Sequence, residues 1–122
     1  MVLYYIQTWV VKKGFVAEHD LMMEDRLKKL DDLTGGGRVK FFPTTGGSGN
    51  GRVLIIRLDA QEGFMSFYSK SLRDKEYVEL QKKWFPLIDL HTYNVTFWNK
   101  EIPENIEGME RREIVRELTF SA

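Results

Sequence analysis

Cysteine is absent from the chain, so disulfides, thiolate metal sites and a cysteine nucleophile are excluded. Net charge is absent too: eighteen basic residues cancel eighteen acidic ones. A balanced chain has no large field with which to attract nucleic acid or anionic lipid, and neither is expected as a partner. Long apolar runs are missing, and nothing approaches the roughly 20 residues of a membrane span. The opening stretch MVLYYIQTWVVKK has neither a leading basic region nor a small-residue cleavage site, so it does not read as a signal peptide. These absences fit a cytoplasmic protein. Histidine is scarce, with only two in 122 residues, and no H-x-x-x-H or H-x-x-E cluster is formed, so no metal site is expected.

What is present reads as one domain with a core of its own. Residues 2–11 (VLYYIQTWVV) are rich in β-branched and aromatic types and predict a strand. Residues 15–33 carry Val16, Met23, Leu27 and Leu30 at helical spacing, and Gly35, Gly36 and Gly37 end that helix. A short strand follows at 39–44, at an edge or ending there because Pro43 cannot donate to a ladder. Another strand spans 52–59, helical stretches cover 61–71 and 74–88, and a final strand covers 90–98. The order is β-α-β-β-α-β. Residues 2–15 and 53–64 echo one another, each a strand, a polar break and then Gly-Phe opening a helix. Two such halves predict an α+β, ferredoxin-like fold with a four-stranded antiparallel sheet and two helices on one face.

Four glycines crowd into residues 46–51 of TTGGSGNGR, which suggests a phosphate cradle. The pattern fails the test: Arg52-Val53 stand where a Walker loop needs Lys and Ser or Thr, and a strand follows instead of a helix. A hairpin loop is the better reading.

Both faces of the predicted sheet are apolar, and two helices can cover only one. The expected helix face is Leu54, Ile56, Leu58, Tyr93, Val95 and Phe97. The other set, Tyr5, Gln7, Trp9, Ile55, Arg57, Thr92, Asn94, Thr96 and Trp98, would meet water unless a second copy covered it. This predicts a homodimer, or a higher assembly of dimers, closing a barrel between two sheets. Tyr5, Gln7, Trp9, Arg57, Asn94 and Trp98 mix aromatic walls with polar groups and are the expected ligand-binding set for a small hydrophobic molecule. The alternative is that these groups only bond one another at a dimer seam. Phe41 and Phe42 have no assigned face.

The chain resembles the dimeric α/β-barrel superfamily of ferredoxin-like proteins, and within it the NIPSNAP type. The likeness lies in VVKKG at 10–14, the hairpin at 39–60, and the segment at 63–84 with Ser71-Leu72-Arg73-Asp74-Lys75-Glu76-Tyr77 ending in Lys83-Trp84. It spans residues 2–98. The resemblance implies a dimeric barrel whose relatives include cofactor-independent monooxygenases, haem-degrading enzymes, lactone isomerases and dehydratases. The haem-degrading branch fits least, because no histidine occurs in residues 64–88. No cofactor is called for. A small-molecule-binding protein with oxygenase or isomerase chemistry and a non-catalytic interaction module are the two functional expectations.

For acid–base work the candidates are His19 and Arg26, which fall on one helical line with Val16, Met23 and Leu30. Their ordinary reading is a hydrogen-bonded histidine and an arginine laying its stem across the core. His91, at the start of the last strand, reads as a turn residue. Residues 1–99 form the expected domain. Residues 100–122 are a charged extension, expected to act as an arm across the dimer or to be partly ordered.

Overall fold

The computed structural model describes residues 2–44, 49–59 and 61–98. Strand β1 (Leu3–Val11) leads through a turn at Gly14 into helix α1 (Val16–Thr34). Gly35 closes α1 in the left-handed region, at φ 90°, and its N–H reaches back toward the last carbonyls, as a glycine cap should. Strands β2 (Val39–Pro43) and β3 (Gly51–Leu58) form a hairpin closed by Thr44 N–H on the Gly51 carbonyl. Residues 45–48, at the centre of the glycine-rich loop, lie outside the described residues.

The second helical unit divides in two: α2 (Gln61–Arg73) and α3 (Lys75–Trp84), followed by a 3-10 turn (Phe85–Leu87). The break is chemical. Asp74 adopts an extended backbone, φ −80° and ψ 112°, and its carboxylate accepts from Tyr77 N–H at 2.9 Å, starting a new helix. Lys29 of α1 bridges to Asp74 and Glu76, which ties α3 to α1. Strand β4 (Ile88–Trp98) completes the chain's described part.

The sheet order is β2-β3-β1-β4, antiparallel throughout, as the ferredoxin-like expectation requires. The second helical layer is α2 and α3, matching the two helical stretches expected at 61–71 and 74–88. Pro43 sits on an edge strand, where its missing donor costs nothing.

Register decides the faces. Tyr5 stands opposite Ile56 and Phe97, and Gln7 opposite Leu54 and Val95. Directly opposed residues share a face. The expected helix face of β3 and β4 is therefore found, but β1 is reversed. Tyr5, Gln7 and Trp9 lie beneath the helices, not on the barrel side. Both faces of β1 are apolar, so alternation alone carried no sign.

The helix-side core joins Trp9, Val11, Leu54 and Ile56 to Met23, Leu30, Phe67 and Trp84. Burying an indole such as Trp9 or Trp84 contributes about 4–6 kcal/mol at ~25 cal/mol/Å². On the opposite face Tyr4, Ile6, Val53 and Ile55 form a separate buried cluster, with Phe42 and Trp98 packed against it. Phe41 belongs to the helix side and Phe42 to the other. Near Trp9 the β1–β4 register shifts, and Thr92 repairs the ladder: its hydroxyl accepts from Val10 N–H at 2.9 Å and donates to the Asp89 carbonyl. Among the described residues no helix is long and apolar enough to cross a membrane. The extension at 100–122, like residue 99, falls outside them.

Candidate functional site

Helix α1 presents His19, Met23, Arg26 and Leu30 as its buried stripe. His19 and Arg26 are both 0% exposed, so the core contains two potentially charged groups on one helix face. What surrounds each decides its role.

Around His19 every valence is used. The indole N–H groups of Trp9 and Trp84 both donate to Nε2, at 3.0 and 3.2 Å. Two donors converging on one nitrogen require that nitrogen to hold the lone pair. The proton therefore sits on Nδ1 and is donated to Asp20 Oδ1 at 2.9 Å. Asp20 is held in turn by Arg52, whose Nε and Nη2 donate to its two oxygens at 3.1 and 3.0 Å. Arg52 Nη1 also donates to the carbonyls of Gly49 and Gly51, at 2.9 and 2.8 Å, anchoring the hairpin end. Burial lowers the His19 pKa below its ordinary value, and the Asp20 bond only partly opposes this. Burial opposes ionisation of Asp20, but Arg52 and the His19 N–H outweigh it and hold its carboxyl below the usual range. His19 is a neutral, locked hub, and its one basic nitrogen faces two tryptophans.

Arg26 lies about two turns on and is less well served. Its Nη2 donates to Gln7 Oε1 and to the Tyr77 hydroxyl, both at 3.3 Å, and Nη1 points at the Met23 sulfur at 3.8 Å. The guanidinium rests on the Trp84 ring at 4.3 Å, with Trp9 and Tyr77 at 5.6 and 5.9 Å. Its Nε is buried and has no acceptor. No carboxylate pairs with it among the described residues.

Gln7 and Tyr77 form the inner wall of a cavity of about 390 Å³ between β1, β4, α2 and α3. Tyr5, Tyr93, Phe67 and Gln81 also line it, and Leu72 and Lys82 flank it. Burial raises the Tyr5 pKa, against smaller opposing effects of hydrogen bonds from Gln7 and Tyr93. Burial raises that of Tyr93 far further, with the neighbouring Tyr5 adding to it. Both phenols stay protonated near neutrality; Tyr93 donates to Tyr5, and Tyr5 keeps its own proton to donate. Gln81 Oε1 is a buried acceptor without a donor. A larger concavity of about 530 Å³ lies between α1 and α3, but its lining alternates Lys28, Lys29, Lys75 with Asp25, Asp32, Glu76, which is the character of a solvated groove.

The structure thus separates the expected binding set. Tyr5 and Gln7 line the helix-side cavity, and Trp9 is buried behind them against Trp84. Arg57, Asn94 and Trp98 lie on the other sheet face, so the six do not form one pocket. His91 is exposed on β4 and lines neither concavity. No group of three or more potential metal-ligating side chains converges among the described residues. Tyr77, Tyr93, Trp84, Asp20 and Arg52 did not stand out as site residues in the sequence. One signal was available: an arginine inside an apolar helical stripe needs polar partners from whatever it packs on, and Gln7 is the polar residue of the facing strand.

No family profile matches the sequence, and no curated protein does. Solved structures do match in fold. A NIPSNAP family protein from Agrobacterium tumefaciens superposes with a TM-score of 0.70 at 10% identity, over 90% of this chain and 100% of that one. A second NIPSNAP family protein of that organism, described as having unknown function, gives 0.71 at 17% identity over 86% and 93%. SnoaB of Streptomyces nogalater, a cofactor-independent oxygenase solved as a mutant, gives 0.64 at 13% identity over 84% and 98%. The sheet order, the helix-side packing and these superpositions together establish that the chain has the α+β, ferredoxin-like fold carried by NIPSNAP proteins and by a cofactor-independent oxygenase.

Proposed function

We propose that this protein binds a small hydrophobic organic molecule in the cavity between its sheet and helices α2 and α3. The observation that carries the reading is the cavity itself: about 390 Å³, walled largely by aromatic side chains, with Tyr5, Gln7, Tyr77 and Tyr93 bringing polar groups to its lining. That size falls within the ~300–1,000 Å³ of small-molecule sites. Fold alone does not select a reaction. Oxygenation without a cofactor is the chemistry the SnoaB likeness suggests, and His19 is not its base, because its free lone pair is spent on two indoles.

A thermal-shift screen with aromatic acids, quinones and polyketide-like phenols tests the binding. A ligand of the native state raises the midpoint by mass action. Leu72, 62% exposed at the cavity edge, tolerates replacement, and Leu72→Trp should block the entrance and remove the shift. Shifts that survive Leu72→Trp, or none across the panel, would count against the cavity.

A second reading concerns assembly. Arg57 Nε and Trp98 Nε1, both on the helix-free sheet face, are buried without acceptors. A second copy facing this sheet would offer acceptors once these side chains turn outward, in a homodimer that needs no catalysis. Sedimentation of a lone monomer at micromolar concentration would remove this reading.

A further inference from the structure

Arg26 is the buried ionic side chain that nothing neutralises among the described residues. Of the other buried polar residues, Arg52 is paired with Asp20, His19 is neutral, and Gln7 and Ser71 carry no charge. A guanidinium cannot shed its proton, so burial leaves it charged. Its two oxygen acceptors belong to neutral groups and sit at 3.3 Å, longer than the ~2.7–2.9 Å of a charge-assisted bond. Both acceptors, Gln7 and Tyr77, are walls of the cavity.

The formal charge around that cavity has one sign, although the neutral Gln81 Oε1 adds one unpaired acceptor. No carboxylate lines it among the described residues, Lys82 stands at its rim, and the Tyr5 hydroxyl, which accepts from Gln7 and Tyr93, keeps its own proton to donate. Tyr77 accepts from Arg26, which leaves its own proton free to donate. A neutral ligand would leave the guanidinium unpaired, and a cation would be repelled. A dianion would have only the rim ammonium of Lys82 for its second charge, since one guanidinium alone stands behind the wall.

The geometry points to a ligand class: an apolar molecule of one or two rings bearing a single anionic oxygen group, a carboxylate or a phenolate, which docks on Gln7, Tyr77 and Tyr5 and supplies the counter-ion of Arg26. This rests on the reading of the cavity as a small-molecule site, and it adds the sign and number of the ligand's charges.

Matched probes test it on the unaltered protein. Calorimetric titration compares 2-naphthoate with 2-naphthamide, the same shape without the charge, and benzoate with benzamide. The acid of each pair should bind at least about tenfold more tightly than its amide, the scale of a charge-assisted bond. Arg26→Met should bring the two within about threefold, Arg26→Lys should keep the preference, and Leu72→Trp should weaken both. An amide equal to its acid in the unaltered protein overturns the inference and leaves the cavity reading standing. Binding of neither, in either pair, sinks both. Acid binding that survives Leu72→Trp places the anion elsewhere and also overturns the inference. The acid–amide comparison needs no variant, so a variant that fails to fold does not remove the test.

Discussion

His19 and Arg26 sit about two turns apart on one face of α1, equally buried, sharing Trp84 between them. The indole N–H of Trp84 serves His19, and its ring face carries Arg26. Yet His19 has all its hydrogen-bonding capacity matched within the chain, while Arg26 has a bare Nε and no opposite charge among the described residues. Buried polar groups matched internally hold a fold together. One left unmatched beside a cavity is a candidate for function, since structure alone gains little from it. The difference assigns His19 to architecture and Arg26 to recognition.

The largest expected effect breaks the comparison at its satisfied end. His19→Leu orphans two buried indole N–H groups and frees Asp20, and should cost about 2–4 kcal/mol in urea unfolding. His19→Gln retains a carbonyl able to accept and should cost less. If His19→Leu unfolds at the wild-type midpoint, the hub is not structural.

A smaller effect sharpens the same point through pH. The folded His19 pKa lies below its unfolded value near 6.5, so the unfolded chain binds the extra proton first. The stabilisation is therefore complete above about pH 6.5 and declines as pH falls toward the folded pKa. Each unit of depression corresponds to about 1.4 kcal/mol. Thermal midpoints measured from about pH 7.5 to 5 should fall, and the fall should shrink in His19→Gln. A midpoint flat over that range in the wild type would deny that burial keeps His19 neutral.

Much of this fold was legible in the sequence, and the reasons are local. Gly35 to Gly37 could only end a helix, Pro43 belonged at an edge, and the β-rich segments announced four strands. The helical wheel placed His19 and Arg26 in the buried stripe, where they are found. The side of the sheet they meet was not legible. In β1 both Tyr4, Ile6 and Tyr5, Trp9 are apolar, so only pairing across to Ile55 and Ile56 fixes which set lies under the helices. The site suffered from the same ambiguity. Tyr77 reaches Arg26 because Asp74 restarts the helix three residues earlier, and contacts fifty-one residues apart leave no periodic trace. Asp20 looked like an ordinary surface acid beside His19 until Arg52, on another strand, fixed its orientation.

The central claim is that Arg26 is kept for a ligand at no benefit to the empty fold. Desolvating a guanidinium costs several kcal/mol, while a close cation–π contact returns about 2 kcal/mol and the two long bonds little more. The direct measurement is the urea unfolding of Arg26→Met without ligand. The expected stability equals that of the wild type or exceeds it by up to about 2 kcal/mol. A loss as large as that of His19→Leu would contradict the claim, and would make Arg26 one more structural member of the core.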